Sequence, residues 1–383
     1  MKHNRKIIYL AGFLFSLPIA LAAYINSSFI SLFVGEKFAG IIYALGSVGS
    51  ILGLILAPKI FKKIGVYKFL IIVTILDILS FGVLATLNIK WLIIPTFILG
   101  FCLNTLIIFS LDELLKIFSK DGTTGKIRGT YIALSNLAWI LAQIASGTIL
   151  GNITFKSVYL VSFFVMTLFL IIASISLRKV PDPEYDKIKN LAYIKGFFKN
   201  KNLFRAYSIT FLLQFFFSWM VIYTPIYLST HLGFSWKEIG IIFSIMLLPF
   251  SIIPFHLGKY ADKIGERKIL MFAFMLTSFT TLSLFFIKKP ELLVWALLLF
   301  MTRVGAASVE VMGDAYFFKH IKPENEEYIG VYRSASPVAY IIGPLCAFIA
   351  LQFIPSFNFL YLILGGLMLS GIYLSSTIEK TDI

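Results

Sequence analysis

The sequence is poor in charged residues. Only 14% of its 383 residues are Asp, Glu, Lys or Arg, whereas 58% are hydrophobic. A soluble domain has about a quarter of its residues charged. Too little charge is present to cover such a surface in water, which excludes an ordinary soluble protein and indicates a chain that faces lipid.

Cysteine and histidine are also scarce. The two cysteines, Cys102 and Cys346, lie in separate apolar runs, which predicts small buried residues rather than a disulfide or a metal site. None of the four histidines stands at metal-ligand spacing from another His, Cys or carboxylate. The chain also lacks a glycine-rich phosphate loop. We therefore expect no metal, no cofactor, no pumping by ATP and no enzymatic activity.

Long apolar runs are abundant. Backbone groups in hydrocarbon have no water to bind, so spanning segments are helices or closed barrels, and barrel strands would alternate in polarity. Here the runs are continuous and about 20 residues long, as a spanning helix requires. The first run, preceded by basic residues, would also fit a cleavable signal peptide, but its loss would leave the first half one helix short. The sequence thus predicts an all-α integral membrane protein with twelve spans, at residues 7–25, 38–57, 69–87, 91–111, 129–150, 158–177, 206–228, 239–257, 269–287, 292–313, 328–351 and 358–374.

The distribution of basic residues predicts the orientation. If the N-terminus is cytoplasmic, 27 of the 34 Lys and Arg residues fall in cytoplasmic segments, 6 fall outside, and Arg303 lies within a span. Such asymmetry sets topology in membrane proteins. We expect a multi-pass protein of the cell membrane with both termini in the cytoplasm. Because the basic residues are scattered over short connections, the net charge of +15 does not indicate nucleic-acid binding.

One long polar connection divides the chain. Residues 178–202 separate an N-terminal six-helix bundle, 1–177, from a C-terminal one, 203–383. Pro181 and Pro183 end the preceding helix. Residues 188–198 could form a short amphipathic helix on the inner leaflet, with lysines facing anionic headgroups, or the segment could be a solvated linker. The lysines concerned are Lys187, Lys189, Lys195 and Lys199.

The two halves resemble each other in sequence. Displaced by 200 positions, six glycines and lysines of the second and third spans recur, and displaced by 201, three residues at the start of the fifth span recur in the eleventh. Parallel halves of this kind are a known transporter plan, with the solute site between them near the midplane. The recurring residues are Lys37, Gly40, Lys59, Lys63, Gly65 and Lys68 in the first group and Gly129, Tyr131 and Ser135 in the second.

The loop after the eighth span carries a family motif. Its residues Gly258, Asp262, Lys263, Gly265 and Arg267 follow the order Gly, Asp, basic residue, Gly and basic residue. This order resembles the helix 2–3 loop signature of the major facilitator superfamily. Together with twelve spans and a long central loop, the resemblance covers essentially the whole chain. It implies two pseudo-symmetric six-helix bundles that rock to give alternating access.

The first-half copy of this loop departs from the family pattern. Lys62 occupies the position where the family usually has Asp, and the acidic residue occurs instead in the second half as Asp262. The resemblance implies that Asp262 contacts the N-terminus of the fifth span near Arg128, where free amides and the helix dipole favour an anion. Asp262 would then be part of a cytoplasmic gate, or it would only shape a tight loop.

Three charged residues lie in the tenth span. Arg303, Glu310 and Asp314 fall within about 20° of one line along a helix, and charges in hydrocarbon require a partner or water. The family resemblance places this helix beside the central cavity, where an Arg followed closely by Gly, here Gly305, recurs. We expect Arg303 to bind substrate, Glu310 to carry the coupling proton and Asp314 to lie nearer the cytoplasmic gate. A fixed structural ion network is the alternative.

Other polar residues lie on helices that the resemblance makes cavity-lining. For each of them a packing role is the alternative, since amides commonly join transmembrane helices. For Asp77, in the third span, we expect a structural hydrogen bond to Ser47 or Ser50. The candidate substrate-binding residues are Asn136, Gln143, Gln214 and Trp219.

The sequence as a whole favours a secondary active transporter of a small organic solute. It leaves open the solute, import or export, and proton or sodium coupling, with proton-coupled efflux as one form. We expect a monomer whose partners are its solute and the bilayer. The alternatives are a membrane-embedded lipid-handling enzyme, for which the outer loops are short, and a channel or non-transporting receptor.

Overall fold

The computed structural model describes residues 5–118, 124–178, 180, 192–321 and 327–378, without the side chains of residues 5, 116–118, 124–129, 192, 255–256, 258–264 and 327. This part of the chain is helical throughout, apart from short connections. A π-helical turn, Tyr227–His231, continues α9. The helices are α1 Arg5–Ala23, α2 Asn26–Val34, α3 Glu36–Ile64, α4 Val66–Thr86, α5 Lys90–Phe118, α6 Thr124–Asn152, α7 Phe155–Ser176, α8 Ala192–Lys199, α9 Lys201–Ile226, α10 Trp236–Ile264, α11 Glu266–Phe286, α12 Leu292–His320, α13 Glu327–Arg333, α14 Ala335–Phe353 and α15 Phe359–Ser376.

Twelve helical segments of the described chain are long and apolar enough to cross a bilayer. Their outward surfaces carry large apolar side chains, among them Trp91, which is 84% exposed, and Phe353, which is 82% exposed. Surfaces of this kind are stable in hydrocarbon and not in water. The prediction of an all-helical membrane protein with twelve spans is therefore confirmed.

Helix breaks and one extra helix refine the predicted spans. The first span ends in a turn at Tyr24, and α2 follows it. The eleventh is divided at Ser334 into α13 and α14. The described part of the long connection contains one helix, α8. The remainder of the predicted amphipathic segment lies outside the described residues.

The chain divides into two compact units, Met1–Asp186 with Ser235–Gly240, and Lys187–Phe234 with Ile241–Ile383. Within the first unit, α1 packs on α6 and α7, and α4 packs on α5 and α7. Within the second unit, α9 packs on α14 and α15, and α11 packs on α12 and α15. These four pairs correspond in chain order between the two units, as the sequence repeat leads one to expect.

Glycines with positive φ end helices at corresponding places in the two units. Gly65 and Gly265, a repeat pair 200 positions apart, have φ of 84° and 82°. Gly35 and Gly233, before α3 and α10, have φ of 82° and 74°. Residues with a Cβ rarely adopt positive φ values, so glycine allows the chain to turn at each of these positions. The recurrence of Gly65 as Gly265 therefore reflects a shared turn.

Gly305 allows α12 to approach α11 closely. A Cβ at this position would lie 2.2 Å from Thr277 Oγ1 and 2.7 Å from the Ala273 carbonyl oxygen. Because one of these contacts is with backbone, a side-chain rotation alone cannot relieve it. Gly305 thus fixes the position of the helix that carries Arg303 and Glu310.

We predict that Gly305→Ala destabilises the protein by about 1–3 kcal/mol, as expected for overpacking of a close contact. Gly366→Ala is the matched control, because a Cβ at this helical position has nothing within 4 Å, and we expect it to be neutral or slightly stabilising. Thermal unfolding of the purified variants measures both effects. Equal unfolding temperatures for the two variants would show that the approach of α12 to α11 is not constrained by Gly305.

Candidate functional site

The charges of α12 lie on one side of the helix but in three different environments. The Arg303 side chain is 1% exposed. Glu310, two turns further along, is exposed, and Asp314, one turn beyond it, is half-buried. The three side chains of the predicted stripe thus differ in their exposure. A charge in the membrane is costly, and each of these residues has different surroundings that reduce this cost.

Arg303 lies among aromatic rings of α9. Its guanidinium carbon lies 5.2 Å from the centroid of the Phe216 ring and 5.3 Å from that of Phe217. Cation–π attraction offsets part of the desolvation of the charge. Yet its buried Nε and Nη1 atoms have no hydrogen-bond partner among the described residues. Donors left without an acceptor are costly, so this guanidinium can still donate to an anionic or carbonyl oxygen.

Glu310 is exposed in a part of the helix surface that is otherwise buried. Ala306 and Val309 beside it are buried. Met301, which is 40% exposed, lies nine residues earlier and hence on the opposite side of the helix. Glu310 is therefore exposed on a different side of α12 from the apolar surface that Leu297 and Met301 form. In the described part of the chain, no ion pair joins Glu310 to Arg303.

Asp314 is held by a network of hydrogen bonds and charge. Arg333 donates from Nη2 to Asp314 Oδ2 at 3.0 Å, and Tyr332 donates from its hydroxyl to Oδ1 at 2.8 Å. Thr210 donates in turn to the Tyr332 hydroxyl at 2.6 Å. The Tyr332 ring stacks on Phe317 with centroids 4.0 Å apart. The network links α9, α12 and α13 and uses both oxygens of Asp314, as a structural ion network would.

The polar residues of α9 are engaged with α14. Gln214 Oε1 accepts a hydrogen bond from Ser336 Oγ at 2.9 Å. Trp219 is 2% exposed, and its indole N–H donates to the Gly343 carbonyl at 2.7 Å. Both side chains lie in the same unit as Arg303, and both join helices in this conformation.

The two amides of α6 belong to the first unit. Gln143 is 1% exposed, and its Nε2 donates to the Ala20 carbonyl of α1 at 2.9 Å. Asn136, seven residues earlier, is half-buried. Gln143 thus has the helix-joining contact that was the alternative to solute binding, while the substrate-binding role of both amides stays a prediction.

The family-motif loop is described only in part. Gly265 makes the turn between α10 and α11, and Arg267 is half-buried. Glu266, which the motif does not include, is buried and forms an ion pair with Lys319 of α12. Gly258 belongs to α10, and the side chains of Asp262, Lys263 and Arg128 are not among those described, so the proposed gate contact stays a prediction.

The expected partners of Asp77 are wrong. Ser47 donates to the Tyr43 carbonyl, and Ser50 donates to the Gly46 carbonyl and contacts the Thr105 hydroxyl of α5 at 3.1 Å, so neither hydroxyl has Asp77 as its partner. Asp77 is 1% exposed, and its Oδ2 has no hydrogen-bond partner among the described residues. Asp77 lies beside Gly100 of α5, where a Cβ would lie 3.6 Å from Oδ1.

Sequence reasoning missed four residues of the site. Phe216 and Phe217 lie in a phenylalanine-rich run that gave no sign of which rings would face an arginine. Arg333 was counted only as a basic loop residue. Tyr332 was visible, because it recurs from Tyr131 in the internal repeat.

The described residues contain no group of three His, Cys, Asp or Glu that could hold a metal ion.

A family model described as Major Facilitator Superfamily matches residues 7–312 and 225–380. No curated protein matches the chain in sequence.

Solved transporter structures resemble this one over nearly their whole length. Nucleoside transporter NupG matches with a TM-score of 0.77 at 10% identity, covering 97% of this chain and 98% of that chain. A mutant form of NupG gives 0.79 at 11% identity with the same coverage. A POT family transporter in complex with a thioalcohol-conjugated peptide gives 0.79 at 10% identity, covering 96% and 94%. At such identities the likeness shows the fold alone.

Proposed function

The chain belongs to the major facilitator superfamily, and from this premise we propose that it is a secondary active transporter, driven by protons, that carries a small organic solute by alternating access. One observation carries the proposal. On the side of α12 away from its apolar surface, a buried guanidinium with unsatisfied donors is followed two turns later by an exposed carboxyl group. A proton-driven solute carrier requires both a binding group and a group that exchanges protons.

Arg303 is the proposed solute-binding residue. Its unsatisfied Nε and Nη1 suit an oxygen of a carboxylate or similar anionic group. The Phe216 and Phe217 rings would contact the apolar part of the same molecule. An amphipathic solute with one anionic group fits these surroundings best. The NupG and POT structures are of a nucleoside transporter and of a transporter with a bound peptide conjugate, which supports a small organic solute as the general class.

Glu310 is the proposed proton-binding residue. Asp314 is fixed by Arg333 and Tyr332, whereas Glu310 is exposed and has neither an ion pair nor a hydrogen bond in the described part of the chain. Its carboxyl group can therefore take up or release a proton when the water around it changes, without breaking a network. Sodium, the other coupling ion considered, would need further oxygen ligands.

The proposal includes the orientation of the chain in the cell membrane. The excess of Lys and Arg in alternate connections supports cytoplasmic N- and C-termini. Each unit has its own tightly packed core, which supports a carrier that acts as a monomer. Four further residues remain proposed contacts of the solute, which would reach them when helices shift during transport. They are Asn136, Gln143, Gln214 and Trp219.

We predict that Arg303→Ala weakens solute binding. In a thermal-shift screen of small organic acids and their neutral analogues, some acids should raise the unfolding temperature of the purified wild-type protein. Loss of the guanidinium should weaken binding of those acids at least about tenfold, because a hydrogen bond to a charged group contributes about 1.5–3 kcal/mol. Lys288→Ala, at an exposed connection, is the control and should bind normally. Acids that stabilise Arg303→Ala as much as wild type would exclude Arg303 from the site.

We predict that Glu310→Gln abolishes solute movement driven by a proton gradient and spares solute exchange, because the amide cannot release a proton. Flux into proteoliposomes, with and without a pH gradient, measures the two modes. Glu291→Gln, at the exposed N-cap position of the same helix, should behave as wild type. Gradient-driven flux at the wild-type rate in Glu310→Gln would show that Glu310 is not the coupling group. Counterflow that does not saturate would indicate a channel instead of a carrier.

A further inference from the structure

The α8 helix is attached to the second unit at the point where the seventh span begins. Phe197 is fully buried, and its ring contacts those of Tyr207, Phe317 and Tyr328 at 5.5–6.4 Å between centroids. Gly196 lies against the Tyr328 hydroxyl, 2.9 Å from where a Cβ would be. The inner side of α8 is thus fixed, and its orientation relative to α9 is defined.

The outer side of α8 alternates basic and aromatic residues. Lys195, Phe198 and Lys199 are exposed and, at spacings of three and four, lie on one face of the helix. Lys201 and Phe204, on the first turn of α9, are exposed beyond them. The rings of Phe198 and Phe204 lie 6.3 Å apart between centroids, which joins the two helices into one surface. We call these five residues the basic–aromatic face.

The charge of this face is not compensated. The segment 192–206 contains no Asp or Glu. Among the described residues, no carboxylate lies within ion-pair distance of Lys195, Lys199 or Lys201. The partner of this surface must therefore supply negative charge.

The position of the face identifies that partner. Phe204, 50% exposed, lies at the start of a membrane span, so the face stands at one surface of the bilayer. Lysines in this position extend their ammonium groups to the headgroups, while aromatic rings enter the acyl boundary. We infer that the basic–aromatic face binds the headgroups of anionic phospholipids in that leaflet. A free phosphate would satisfy the lysines but leave Phe198, 40% exposed, without a contact.

This contact reaches the ion network of the second unit. The α8 helix packs against α13, and Arg333 at the end of α13 holds Asp314. Anionic lipid bound to the outer side of α8 thus stabilises the end of the unit at which the network lies.

The test measures unfolding temperature in neutral detergent with added phosphatidylglycerol or phosphatidylcholine. Phosphatidylglycerol should stabilise wild type more than phosphatidylcholine does, and high salt should reduce the difference. The triple variant Lys195→Gln, Lys199→Gln and Lys201→Gln should lose at least half of that difference. A control triple, Lys237→Gln, Lys288→Gln and Lys289→Gln, removes three exposed lysines at the opposite ends of the spans and should keep it.

Two further arms separate lipid from other causes. Substitution of the same three lysines of the face by Arg should restore the difference, and Phe198→Ser should reduce it. Glycerol phosphate at the same concentration should have no effect. Equal stabilisation by the two lipids, equal losses in the two triple variants, or full stabilisation by glycerol phosphate would each overturn the inference.

Discussion

A charge in the hydrocarbon region must be hydrated, paired or shielded, and α12 meets this constraint in three ways along one side. Arg303 is shielded by two aromatic rings, Glu310 is exposed away from the apolar side, and Asp314 is paired with Arg333. Charges in the membrane cost at least about 2.5–3.5 kcal/mol each at the helix centre. A helix that only filled space would be more stable with apolar residues there, so the constraint itself points to function.

The internal repeat shows which of these charges are particular to one unit. Helices α5 and α12 have the same length and occupy corresponding places 202 positions apart. Asp314 then corresponds to Asp112, but Arg303 corresponds to Phe101 and Glu310 to Ile108. The aspartate thus belongs to the shared framework, as does the tyrosine that recurs as Tyr131 and Tyr332. The arginine and the glutamate are unique to the second unit, which is where binding and coupling are proposed.

The sequence was sufficient for the spans, the repeat and the common side of the α12 charges, because these depend on periodicity and composition. It was not sufficient for the partners of those charges. Whether Gln143 reaches Ala20 or Arg303 reaches Phe216 depends on the rotation and register of helices about a hundred residues apart. The expectation for Asp77 failed for a related reason, since the hydroxyls of Ser47 and Ser50 donate to carbonyl groups of their own helix. Such local bonds compete with bonds between helices and leave no mark in the sequence.

The central claim is that Glu310 faces water, on the side of α12 away from its apolar surface. Reaction of single cysteines with a charged, membrane-impermeant thiol reagent measures this directly, in a background with Cys102→Ser and Cys346→Ser. Glu310→Cys should react, and bound solute should change its rate, whereas Met301→Cys on the apolar side should not react. An unreactive Glu310→Cys would place this position in lipid, and equal reaction at the two positions would show that the two sides of α12 do not differ in access to water. Either result would contradict the claim.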